Sequence, residues 1–396
     1  MRSTDRLLRS PPLAGLLLAL LAGCAHLPEQ RYDVVVPAPP DPPRYRLEWV
    51  YRGSDDYRRS SALSDLLFGH VSAGESHRLA KPSSVVSDGR GLVYVSDTVK
   101  PPRIEIFDDV KKEVRMIGVE GPGQLQLPLG LALDPAGTIY VADARRRQAL
   151  AFTPDGVLRA TYGSGETLTR PTGVAVDAGR ALLYVADTGG HRVQVFSLAD
   201  GRLLRTIGHR GAGPGEFNYP EALAIGPGGA LHVVDTMNFR YQVFDPDGRF
   251  VAEHGGLGQE PGRFARPKGI AVYAGGRVYV SDAAFNNVQV FDAEGRLLLW
   301  LGGPGLAPGS FQLAEGVFAD GGDRVFVVDQ LNQRVQRYRF LSGVAESAAP
   351  AATSTPGGAR QQGAPPASQQ AAPPPSEGAP ARSAQSHATS HAEVTP

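Results

Sequence analysis

The chemistry-bearing residues that recur most regularly are six aspartates. Asp97, Asp143, Asp187, Asp235, Asp282 and Asp329 each close a short apolar run, as in Tyr94-Val95-Ser96-Asp97 and Tyr184-Val185-Ala186-Asp187. Successive aspartates stand 46, 44, 48, 47 and 47 residues apart. Five residues downstream lies a polar partner: Arg192 after Asp187, Arg240 after Asp235, Arg334 after Asp329, and Asn287 after Asp282. A carboxylate at a strand end accepts from turn amides, and a guanidinium fork on the next strand can reach it. Acid–base catalysis needs one or two tuned carboxyls, not a ring of equivalents. The six acids therefore read as architecture, and any site must be sought at positions that differ between copies.

The elements that carry them are strands. Each period opens on a Pro-led run of small and aliphatic residues, as in Pro128-Leu129-Gly130-Leu131-Ala132-Leu133 and Pro171-Thr172-Gly173-Val174-Ala175-Val176. A Gly-containing turn leads into the Asp-terminated run, then an alternating run such as Val193-Gln194-Val195-Phe196 follows. A last run lies beyond a tight turn, as in Leu203-Leu204-Arg205-Thr206-Ile207. Period-2 alternation marks half-buried strands, and fixed-period repetition marks a repeat architecture. Four antiparallel strands repeated six times give an all-β, six-bladed β-propeller.

The motifs Pro-x-Gly-Val-Ala, Tyr-Val-Ala-Asp and Arg-Val-Gln-Val-Phe resemble the NHL repeat, and the resemblance covers residues 82–340. Blade 3 matches best, while blades 1 and 6 are the most degenerate. A WD40 array is a poor fit, since Trp49 and Trp300 are the only tryptophans. Blade 6 ends at Val335-Gln336-Arg337-Tyr338-Arg339-Phe340 with no fourth strand behind it. An open blade would expose an edge, which proteins cover. The alternating run Tyr45–Tyr51 has no partner of its own, so an N-terminal strand is expected to complete the last blade and close the ring. Leu63, Leu66, Leu67 and Phe68 suggest a short helix over residues 60–68.

In a propeller of this kind, Pro-opened strands begin and Asp strands end on one face. That face gathers Ser83, Leu129, Thr172, Glu221, Lys268 and Glu315, each following the Pro or its equivalent. It also gathers turn residues Lys100, Arg145, Arg146, Arg147, His191, Phe239, Phe285 and Asn286, and loop residues Arg210, Arg263 and Arg266. Glu221, Lys268 and Glu315 fall in consecutive blades at the channel mouth, as a ligand-binding cluster or a mutually satisfied ion-pair set. Arg145-Arg146-Arg147 is a polyanion site or a solvated turn. Phe239 and Phe285 with Met237 form an apolar patch for a partner, or blade-edge packing.

Catalytic signals are thin. His70, His77, His191, His209, His232 and His254 do not place three imidazoles at equivalent inner positions. His232 replaces the Tyr of its strand and reads as packed; His191 reads as a turn residue. The Gly-rich stretch Gly208–Gly215 recurs between blades without opening a helix, so it is a connector and not a phosphate cradle. No metal or cofactor site is expected, and the enzyme reading is the weaker one.

The chain has 396 residues, with 40 basic and 40 acidic side chains, so no global field draws it to nucleic acid or anionic membrane. Its single cysteine, Cys24, excludes an intramolecular disulfide. Residues 1–23 have a basic start and an apolar core too short to span a bilayer, as signal peptides do. Leu21-Ala22-Gly23-Cys24 resembles a bacterial lipobox, which implies a lipidated Cys24. Ala25 lacks the Asp that implies inner-membrane retention, favouring the outer membrane, with the face left open. Residues 24–43 are a Pro-rich spacer, 44–343 the propeller, and 344–396 an Ala/Pro/Ser/Gln-rich tail of disordered composition. These features predict a monomeric, lipid-anchored envelope protein that binds a protein or polymer without catalysis and without nucleic acid. The alternatives are a metal-dependent lyase or hydrolase at the channel mouth, and a polyanion or glycan binder.

Overall fold

The computed structural model describes residues 32–57, 77–99 and 101–341. Cys24 and its leader, Lys100, His70, the helix expected over residues 60–68 and the tail from 344 lie outside the described residues. Six antiparallel sheets form six blades, each numbered by the aspartate it carries. Blade 3 is representative, with strands Pro171–Asp177, Leu182–Asp187, Arg192–Ser197 and Leu203–Ile207 in that spatial order. The first strand of each blade, opened by proline in all but blade 6, is innermost and packs against its counterparts in the two neighbouring blades. The chain is a six-bladed β-propeller.

Blades stack through six apolar seams, each made by facing sides of two adjacent blades. Between blades 2 and 3, for example, Tyr140, Ala142 and Ala149 meet Val174, Leu183, Val185 and Phe196. Alternation along the strands makes this possible, because both faces of each sheet are covered by a neighbour. Burying one such Val, Leu, Phe or Tyr side chain contributes about 1.5–3 kcal/mol, so the ring is held by the sum of its seams.

Ring closure follows the sequence reading. Tyr45–Tyr51 pairs antiparallel with Arg334–Phe340, from Tyr45 opposite Phe340 to Tyr51 opposite Val335. A bulge between Leu47 and Trp49 shifts the phase of alternation. Tyr45, Leu47 and Val50 consequently pack toward blade 5, while Trp49 and Tyr51 pack toward blade 1. Charges fasten the same seam. Glu48 receives Arg339 Nε and lies 3.4 Å from Arg337 Nε. Asp109 accepts from Tyr51 Oη at 2.8 Å, Tyr57 Oη at 2.5 Å and Arg337 Nη1 at 2.6 Å.

One element was not expected. Val35–Val36, within the segment read as a spacer, pairs with Tyr45 and Arg46 and makes blade 6 five-stranded. The prolines from Pro37 to Pro43 lack amide donors, so pairing stops at Val36 and the chain turns back into Tyr45.

Candidate functional site

The six inner strands surround a central cavity of about 550 Å³. Its width is set by close backbone approach. A Cβ at Gly173 would lie 2.6 Å from the Glu221 carbonyl oxygen of the next blade, and one at Gly269 would lie 2.6 Å from that of Glu315. The Gly of Pro-x-Gly is therefore the point where neighbouring inner strands nearly touch. Side chains staple the same junctions: Thr172 Oγ1 donates to the Glu221 carbonyl at 2.8 Å, and Thr236 Oγ1 to that of Pro267 at 3.0 Å. Thr172, a candidate for the binding face, is buried and spent on this staple.

The repeated aspartates are the frame of the mouth. Asp187 accepts from the amides of Thr169 and Arg170 at 2.8 Å each and from Arg192 Nε at 3.1 Å. Asp97 accepts from Ala80 and Lys81 amides and from Arg103 Nη2; Asp143 from Gln126, Leu127, Arg145 and Arg146 amides. Asp282 holds Ala265, Arg266, Ala284 and Phe285 amides. Asp235 and Asp329 each take one loop amide plus Arg240 or Arg334 on the following strand. Burial pushes the carboxyls of Asp235 and Asp329 upward against these donors. Where blade 5 has Asn287 in place of the arginine, its Oδ1 is buried without a partner.

These clamps fix the residue just before each inner strand. Going round the ring that residue is Lys81, Leu127, Arg170, Tyr219, Arg266 and Leu313, so cations on blades 1, 3 and 5 alternate with uncharged side chains on blades 2, 4 and 6. In blades 4 and 6 the amide is taken by the preceding blade instead: Tyr219 by His191 Nδ1 at 3.2 Å, and Leu313 by Asn286 Oδ1 at 2.6 Å. His191 and Asn286 close their turns in the left-handed region, at φ 53° and 54°. Asn and His are among the side chains that tolerate it best.

One step deeper lie Glu221, Lys268 and Glu315, and the structure divides them. Lys268 Nζ donates to Glu221 Oε1 at 2.5 Å. Glu315 lines the same cavity, yet the described residues give its carboxyl no hydrogen-bond or ion-pair partner. Burial pushes the Glu315 carboxyl up to about 7, with Glu221 adding to the rise and Lys268, Arg266 and Lys81 opposing it. Lys81, Arg170 and Arg266 also line the mouth and make no side-chain ion pair with any described residue. Sequence reasoning placed Arg266 only among loop residues and missed Lys81 and Arg170. Their signal is positional: each stands immediately before the repeat's proline.

The remaining candidates are distributed elsewhere. Arg146 Nη1 donates to the carbonyls of Pro122 and Gln124, and Arg147 donates to those of Leu168 and Gly165. Two of the three consecutive arginines thus hold connecting loops, and Arg145 alone is exposed without such a role. His191 is buried against Tyr219, with ring centroids 4.4 Å apart. Phe239 packs into the seam between blades 4 and 5, Phe285 is half-buried, and Met237 is exposed. Among the described residues no three His, Cys, Asp or Glu side chains converge as a metal-ligand set.

Comparison with known proteins agrees with this architecture. Residues 168–196, spanning most of blade 3, match the NHL repeat. Peptidyl-glycine alpha-amidating monooxygenase of Mus musculus is 28% identical over 180 residues, covering 42% of this chain and only 18% of that protein. A Bacteroides thetaiotaomicron protein of unknown function superposes with a TM-score of 0.53 at 15% identity, over 66% of this chain and 70% of the other. A streptogramin B lyase superposes with a TM-score of 0.51 at 14% identity, over 66% and 94%. Likeness at that identity carries the architecture and not the chemistry. The fold is a six-bladed β-propeller, and one of its repeats, at residues 168–196, matches the NHL repeat.

Proposed function

We propose that this chain is a non-enzymatic binding protein of the bacterial cell envelope, anchored through a lipidated Cys24, which presents the mouth of its central channel to a protein or polymer partner. The observation that carries the reading is the contrast in charge satisfaction. Nearly every repeated charge is used internally, whereas Lys81, Arg170, Arg266 and Glu315 are held at the mouth with no ion-pair partner among the described residues. Unpaired charges gathered in one concave place are what a recognition site needs. The lyase or hydrolase alternative requires a metal-ligand set that the described residues do not assemble. The polyanion alternative is weakened because Arg146 and Arg147 are engaged with loop carbonyls.

The test is photo-crosslinking in the native cells, with a photoreactive residue at Leu129 or Leu313 at the mouth and at Trp300 on the outer strand of blade 5. The proposal expects adducts from the mouth positions and none from Trp300. Adducts from Trp300 alone would refute it. Anchoring is tested separately: Cys24→Ser should move the protein from the membrane fraction to the soluble one.

A further inference from the structure

Resting on that reading of the mouth, we propose that the group it recognises is a small multivalent oxyanion with a carbon body, such as a di- or tricarboxylate. Lys81, Arg170 and Arg266 stand on blades 1, 3 and 5, one from every second blade. Lys268 adds a fourth cation whose charge is offset by Glu221. Four cations thus face one paired carboxylate and Glu315, so the mouth carries a net positive charge at neutral pH. The Asp clamps hold Lys81, Arg170 and Arg266 by their amides at 2.8–3.1 Å, which fixes where each side chain starts. Guanidinium forks meet planar carboxylates in two parallel bonds, so the two arginines suit carboxylates in geometry as well as in charge. Below the charged rim the cavity is lined by aliphatic side chains such as Leu131, Val174, Leu223 and Ile270, which favours a ligand whose charged end stays at the mouth. A volume of about 550 Å³ admits a metabolite-sized molecule and no folded domain.

Glu315 couples recognition to protons. The charged groups acting on it are Lys268, Arg266 and Lys81, of opposite sign, and Glu221, of like sign. An arriving anion is repelled by ionised Glu315 and not by its neutral form, so affinity rises as pH falls through about 7, and bound anion in turn favours the proton on Glu315.

The test is calorimetric titration of the full-length protein in detergent with citrate, with inorganic pyrophosphate and with acetate, at pH 6 and pH 8. Citrate should bind saturably and more tightly than acetate, with higher affinity at pH 6. Arg170→Ala with Arg266→Ala should weaken it roughly tenfold or more, since hydrogen bonds to charged groups are the strong ones. Glu315→Gln should remove most of the protein-borne pH dependence while keeping binding, and Arg145→Ala should change nothing. Pyrophosphate binding tighter than citrate would keep the oxyanion site but overturn the carboxylate assignment. No saturable binding by either, or equal affinity in the double variant with an unaltered circular-dichroism spectrum, would overturn the inference. If mouth crosslinks persist in that case, the partner reading stands and this inference alone falls.

Discussion

The closure seam and the channel mouth are both rich in charge, and they use it in opposite ways. At the seam Asp109 is shared by Tyr51, Tyr57 and Arg337, and Glu48 by Arg337 and Arg339. At the mouth Lys268 and Glu221 pair, but Lys81, Arg170, Arg266 and Glu315 are left over. The half-buried Glu315 carboxylate without a partner costs stability, whereas Lys81, Arg170 and Arg266 are exposed and cost little. The difference separates charges that close the ring from charges left available to the proposed ligand.

Removing the closing strand has the largest expected effect. Deleting residues 44–52 strips Tyr45, Leu47, Val50 and Tyr51 from two apolar seams. At about 1.5–3 kcal/mol for each buried side chain, the loss approaches the whole stability of an ordinary domain. The thermal transition should collapse or vanish, and an unchanged melting curve would refute the closure by Tyr45–Tyr51. Next, Asp109→Ala removes the acceptor shared by Arg337 and two tyrosine hydroxyls, while Arg337 keeps Glu48, and a loss of about 1–3 kcal/mol is expected in chemical denaturation. At the inner junction, Gly173→Val would drive a side chain into the Glu221 carbonyl of blade 4, and a loss of about 1–3 kcal/mol is expected from overpacking.

A smaller effect sharpens the mouth. The Glu315 carboxyl is raised to about 7 in the folded chain, above its ordinary value of 4.5. Between those values the native state keeps a proton that the unfolded chain has released, so stability falls as pH rises from about 4.5 to 7 and is level above. Glu315→Gln should abolish that slope and stabilise the protein at pH 8 by on the order of 2 kcal/mol, discounted for its access to channel water. Arg170→Ala, on the exposed rim, should change stability by less than about 0.5 kcal/mol.

Much of the fold was legible because propeller geometry writes itself into sequence at a fixed period. The six aspartates, their arginines and the lone Tyr45–Tyr51 strand all follow from needs local to a strand pair. Val35–Val36 was not legible, since prolines directly after it read as a spacer while the pairing partner begins only at Tyr45. Nor was the bulge at Glu48, which decides the blade that Val50 and Tyr51 face. The mouth was legible in part. Glu221, Lys268 and Glu315 were found by repeat position, but the pairing of only two of them depends on side-chain reach across blades. Lys81 and Arg170 escaped because a residue before proline reads as the end of a loop. The arginines 146 and 147 looked free because the carbonyls they bind are 18–24 residues away in sequence.

The most direct measurement pairs melting temperature with citrate affinity in two variants of the full chain, Arg337→Ala at the seam and Arg170→Ala with Arg266→Ala at the mouth. The seam variant should melt lower while its folded fraction binds citrate as tightly as the unaltered protein, and the mouth variant should melt normally and bind roughly tenfold more weakly or worse. A mouth variant that loses stability and keeps its affinity would contradict the account.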